Sequence, residues 1–248
     1  MPDTALLALT WSVTKRRFLA SWPAIVAGLA FPACIVWAGI GDSYGTAAKL
    51  FYFLLPHAFL VAAQDAVRTD LESGALENTL FAAGRFRGFL RAKGLVTAAA
   101  AGGYALFLFG LFAAWGLALG AFRPDDLVKF GLALLAGLYY VALAGVLGHF
   151  LRGGSNVLSL LLAQAAAVMA LVFTASSRTG LLDYIAAGTF PRLGPKLLFG
   201  GLVALLPNVI VAGRPSAFAA EVLAGLMLAW AAQERLLRRL ELRGGRSA

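Results

Sequence analysis

Apolar blocks of about twenty residues recur from one end of this chain to the other, separated by short polar segments. A helix of that length matches the hydrocarbon thickness of a bilayer. Inside lipid, every backbone N–H and C=O must find its partner within the protein, and a helix provides this from its own segment. The expected fold is therefore an all-α integral membrane protein that crosses the bilayer several times. Composition agrees. Charged residues are 13% of the 248 and hydrophobic ones 60%, whereas soluble domains carry about a quarter charged residues.

Taken in order, residues 4–18 mix Leu6, Leu7, Leu9 and Trp11 with Lys15, Arg16 and Arg17, which suits a helix lying in the membrane interface. The basic cluster follows an amphipathic stretch, and the apolar block after it is too long for a cleavable signal. Spans are expected at about Leu19–Ile40, Ala47–Ala66, Gly94–Gly120, Leu127–Phe150, Val157–Phe173 and Ala217–Ala232, with Pro23 and Pro32 as kink points. Residues 176–213 read as an outer loop. It ends in a short apolar stretch, Leu197–Gly213, broken by Gly200, Gly201 and Pro207-Asn208. Such backbone is tolerated as a re-entrant element where protein covers it. The charge pattern places the N-terminus, the cluster from Arg85 to Lys93 and the basic tail, 234–248, in the cytoplasm. Six crossings satisfy this; a seventh would put the tail outside. The net charge of +9 thus reads as topology and lipid-headgroup contact, with no nucleic-acid partner implied. The whole chain, 1–248, reads as a single transmembrane domain.

The sequence also excludes chemistry. It contains no G-x-x-x-x-G-K-[ST], no H-E-x-x-H and no G-x-S-x-G, so it lacks the P-loop route to nucleotide hydrolysis and the common hydrolase signatures. The expectation is a non-enzyme with no cofactor of its own. One cysteine, Cys34, allows no internal disulfide, and two histidines, His57 and His149, are too few for a histidine-rich metal site. Two polar residues at membrane depth are candidates for a substrate pathway. His57 follows Pro56 near the middle of the second span. It either contacts cargo, as a ligand if the cargo carries a metal, or bonds the carbonyl freed by the proline kink. Glu221 lies about a turn inside the last span, where it either serves the pathway or reaches outer water. Asp125 and Asp126 form a turn pair that either holds a cation or is simply solvated. The scarcity of charge at depth favours a lipophilic or amphiphilic cargo.

The longest polar interruption in the first half is Arg68–Leu80, RTDLESGALENTL. Thr69 and Glu72 form a T-x-x-E capping box. Leu71, Ala75, Leu76, Leu80 and Phe81 fall roughly on one face, and Gly84 can end the helix. A short acidic helix over 69–83 facing water is expected, either as a solvated loop or as a surface that presses on a partner.

The run Arg68-x-Asp70-x-Glu72-x-Gly74-x-Leu76-Glu77-x-x-Leu80 resembles the cytoplasmic coupling helix of ABC-2 type transporter permeases. Its nearest form is that of the CcmB-type membrane subunit of the cytochrome c maturation haem exporter. After Leu80, FAAGRFRG stands where that haem branch has a proline-rich continuation. The resemblance extends to the layout, with an interfacial N-terminal helix, six spans and re-entrant outer structure before the last span. It implies an exporter subunit in the inner (plasma) membrane, paired with a second copy or a homologous permease and surrounded by membrane lipid. Two ABC ATPase subunits would bind its cytoplasmic face and carry the ATP and magnesium. Asp70, Glu72, Gly74, Leu76, Glu77 and Leu80 would seat in a groove on the ATPase. An intramembrane enzyme acting on lipid substrates and a non-transporting scaffold are the alternatives.

Overall fold

The computed structural model describes residues 4–20, 22–41, 44–64, 86–152, 154–176 and 215–244. Among them are seven helices and no strand: α1 (Thr4–Ala20), α2 (Trp22–Gly41), α3 (Tyr44–Ala62), α4 (Phe86–Ala118), α5 (Pro124–Leu147), α6 (Ser155–Ser176) and α7 (Pro215–Gly244). Three stretches, Tyr44–Ala62, Gly88–Ala118 and Pro124–Leu147, are long and apolar enough to cross a membrane. Ile25–Ile40 and Ser155–Ala167 are shorter apolar helical stretches. The outer surface is apolar too. Trp37 and Ile40 are more than four-fifths exposed, and Leu29, Met227 and Leu228 at least 70%. A soluble monomer rarely leaves contiguous patches of this kind in water, whereas lipid accommodates them.

The helices alternate in direction. Tyr104 Oη on α4 donates to Gly28 C=O on α2 at 2.9 Å, and Trp115 lies on Gly39, so α2 and α4 run the same way. Tyr44 meets Asp126 and Phe59 lies over Gly137, so α3 and α5 run together in the opposite sense. Tyr139 against Gly225 and Gln233 against Gly145 set α7 parallel to α5. Asn156 and Gln164 on α6 reach Ala144 and Tyr140 on α5, making α6 antiparallel to it.

Aromatic stacking fills one end of the bundle. Phe51 stacks on Phe112 with ring centres 4.5 Å apart, and Phe109 on Phe130 at 4.0 Å. Such pairs add to their burial. A second cluster joins α3, α5, α6 and α7 through Leu60, Tyr140, Leu160, Phe218 and Val222. Glycines set the closest approaches. A Cβ on Gly225 would sit 2.9 Å from the Tyr139 ring, and one on Gly137 would overlap the ring of Phe59. Small residues of this kind let helices approach where lipid supplies no hydrophobic drive.

Several boundaries differ from those the sequence suggested. Pro23 occupies the first turn of α2, where its missing N–H costs nothing, and Pro32 and Pro56 sit inside continuous helices. α4 begins at Phe86 rather than near Gly94, so Arg91 and Lys93 belong to a helix of 33 residues. At 1.5 Å per residue that is about 50 Å, well beyond the ~30 Å of hydrocarbon. The helix is thus longer than the apolar layer, and α1 lies along its start: a Cβ on Gly88 would sit 3.4 Å from Leu6, which joins a cluster with Phe89, Leu90 and Leu237. The basic tail expected at 234–248 continues α7 as helix to Gly244. The expected coupling helix at 69–83 and the re-entrant stretch Leu197–Gly213 lie outside the described residues.

Candidate functional site

His57 is placed by Pro56 and by α6. Its ring packs 5.2 Å from Phe53 and 5.8 Å from Tyr140, centre to centre. Nδ1 lies 3.0 Å from Phe53 C=O, one turn earlier on α3. Proline at 56 removes the N–H that Tyr52 C=O would accept. The carbonyl that His57 caps is thus the neighbour of the one freed by the proline, not the freed one itself. Nε2 lies 3.0 Å from the side-chain amide of Gln164, and that amide lies 2.9 Å from Tyr140 Oη.

The direction of this chain follows from its fixed end. A carbonyl only accepts, so Nδ1 carries the hydrogen. In a neutral ring Nε2 then accepts, and the Gln164 amide must present its N–H₂ there and its oxygen to the Tyr140 hydroxyl. A half-turn of the amide achieves this, because its oxygen and nitrogen are interchangeable by that rotation. The reverse setting needs hydrogens on both ring nitrogens and so places a charge in an apolar interior. In either setting both nitrogens of His57 are engaged by the protein. No lone pair is left to ligate a metal carried by a cargo. Among the described residues no three or more side chains of the ligating types come together.

His57 also forms part of the wall of a cavity of about 510 Å³ between α1, α2, α3 and α4. The wall is almost wholly apolar and made by small residues, including Gly28, Ala58 and Ala101, with Phe31, Leu54 and Tyr104. Trp11, Thr14 and Lys15 of α1 stand at one rim, and Cys34 of α2 also lines the space. Glu221 is not at this cavity. It lies on the exposed side of α7, next to the fully buried Val222. The structure therefore does not bring the two expected pathway residues into one cavity. The acidic coupling residues Asp70, Glu72 and Glu77, with Gly74, Leu76 and Leu80, lie outside the described residues.

A second cavity, about 530 Å³, lies between the base of α4 and the ends of α5 and α7. Arg91 and Glu234 line it and form a two-pronged ion pair, with Nε and Nη2 each 2.7 Å from a carboxylate oxygen. Side-chain exposures of 49% and 18% make its net contribution modest.

Two polar positions that sequence reasoning undervalued prove structural. Asp126 is only 3% exposed, not a solvated turn residue. It accepts from Tyr44 Oη at 3.1 Å and from the Arg123 backbone N–H at 3.0 Å, with Lys129 Nζ 3.8 Å away. The carboxylate caps the start of α5 and faces its positive end. Asn156, fully buried, donates to Ala63 C=O and Ala144 C=O and accepts from Val157 N–H, tying the ends of α3 and α5 to the start of α6. The available signal for Asn156 and Gln164 was a side-chain amide within or beside an apolar run. Comparison of the chain with family models, curated proteins and solved structures finds no match in any of the three.

Proposed function

We propose that this chain is the membrane permease subunit of an ATP-driven ABC-2 type exporter. The observation that carries the reading is the R-x-D-x-E-x-G-x-L-E run placed between α3 and α4. The end of α3 and the start of α4, with Arg91 and Lys93, lie at the same end of the bundle, the face that this reading assigns to the ATPase. The alternating directions of α2 to α7 support six crossings with both ends of the chain on that face. The basic residues at the base of α4 and on α7 favour the cytoplasm as that side, in an inner or plasma membrane. In this reading a separate ABC ATPase supplies ATP and magnesium. Glu72 and Glu77 meet basic residues of its groove, and Leu76 and Leu80 fill it. Closure of the ATPases then moves α3 and α4 as rigid levers. A second permease copy or a homologue completes the pore, and the cargo is lipophilic or amphiphilic. The engaged ring of His57 adds nothing to a haem-exporter assignment.

The test is copurification of the tagged chain from mild detergent, followed by vesicle transport with the ATPase it brings. A stoichiometric P-loop ATPase is expected, lost on Glu72→Lys together with Glu77→Lys. A chain that comes down alone under several gentle detergents, or that keeps its ATPase through both reversals, refutes the reading.

A further inference from the structure

The cavity behind α1 has a polarity profile that specifies its occupant. Its wall is almost wholly apolar: both His57 nitrogens are bonded within the protein, the Tyr104 hydroxyl donates to Gly28 C=O, and Thr97 adds one hydroxyl among the alanines of α4. Its α1 rim carries a cation, the exposed Lys15, next in sequence to Arg16 and Arg17. One flank opens sideways, since Ala30 and Cys34 on its wall are exposed on the same helix as the outward-facing Leu29 and Val36. At about 510 Å³ it lies in the range of pockets that enclose whole small ligands, about 300–1,000 Å³. Small side chains, not charges, make the space: Ala27, Gly28, Ala58 and Ala101 line it, and a Cβ on Gly28 would meet nothing within 4 Å.

We infer that this cavity is a phospholipid site, taking an acyl chain against α2, α3 and α4 with an anionic headgroup at Lys15. The molecule enters through the open flank from the leaflet beside α1. Desolvated hydrocarbon provides the affinity, and the lysine provides the choice of headgroup. The site goes beyond the transport reading and does not depend on it. A lipid held here sits between α1 and the α3–α4 pair and ties α1 to the bundle.

The test uses the full chain in phosphatidylcholine vesicles, with a phospholipid bearing a photoactivatable diazirine on its acyl chain. Crosslinks are mapped by mass spectrometry. The expected sites are Phe31, Cys34, Ala58 and Tyr104, in competition with unlabelled lipid. Phosphatidylglycerol should compete about fivefold better than phosphatidylcholine, the preference one basic residue near a membrane surface supplies. Lys15→Glu should erase that preference. Gly28→Phe should remove crosslinks to Ala58 and Tyr104 while leaving those on the outer face, at Trp37 and Leu106, unchanged. Equal competition by the two headgroups, or a preference that survives Lys15→Glu, overturns the anionic site. Crosslinks at Ala58 that persist in Gly28→Phe overturn the cavity as its location. If Gly28→Phe fails to fold, headgroup competition with Lys15→Glu decides alone. Both leaflets contain the probe lipid, so neither the orientation of the chain nor a failure to transport affects the readout.

Discussion

Replacing Gln164 with leucine should loosen α6 more than any change on that helix's lipid face. The described part of α6 buries Asn156, Leu160, Gln164 and Ala167, positions that fall on one face at helical spacing. Two of these four are amides, so polar pins hold much of this helix to α3 and α5. Gln164→Leu keeps the volume and deletes two side-chain contacts, those at 3.0 Å to His57 Nε2 and 2.9 Å to Tyr140 Oη. In water-soluble interiors, stranding a buried polar group costs about 1–3 kcal/mol. Between membrane helices a hydrogen bond averages about 0.6 kcal/mol and reaches about 1.7 at most, because the unfolded chain finds other partners in lipid. The two contacts together therefore predict a loss of roughly 1–2 kcal/mol. Tyr140→Phe removes the second contact, leaves the first, and should cost about half as much. The double variant should fall short of the sum by the coupling of the shared bond, about 0.6 kcal/mol. The assay is reversible unfolding of the purified chain in mixed micelles by circular dichroism, with amide exchange read over residues 155–167. Leu162→Ala, on the exposed face of the same helix, is the control. If Gln164→Leu is no less stable than that control, or if the double variant is strictly additive, the network does not pin α6.

Two further perturbations probe packing and capping. Gly137→Val places a side chain where the Phe59 ring lies, and should cost about 1–3 kcal/mol by forcing α3 from α5. Phe59→Ala in the same chain should return part of that loss in detergent melts, and no recovery would mean that the two residues do not oppose each other. Asp126→Ala leaves the Tyr44 hydroxyl and the Arg123 N–H without their acceptor and should cost about 2 kcal/mol, whereas Asp126→Asn keeps an oxygen and should cost about half of that. Equal melting temperatures for the alanine and asparagine variants would show that the retained acceptor is not what matters.

The bilayer explains why so much of the helical layout was legible. It imposes a minimum apolar length, so the expected spans Gly94–Gly120 and Leu127–Phe150 fall largely within α4 and α5. Where lipid imposes nothing, the reading failed. The base of α4 and the end of α7 are rich in Arg, which locally looks like loop and tail. They are helical because they pack on each other and on α1, as Leu90 does on Leu237 and Leu6, and no local pattern announces that. Neither a cation site nor a solvated turn describes Asp126, because its principal side-chain partner, Tyr44, is 82 residues away.

His57 carries the point furthest. Its neighbouring proline is local and was legible, and its first hydrogen bond is local too, though it goes to Phe53 C=O and not to the carbonyl that the proline frees. The fate of its second nitrogen is not local, for it depends on Gln164, 107 residues along the chain. That single contact turns a candidate ligand into a structural tie, and it leaves the cavity beside it with an apolar wall. The nature of what enters there is consequently set by α1, through Lys15 at the rim, rather than by His57.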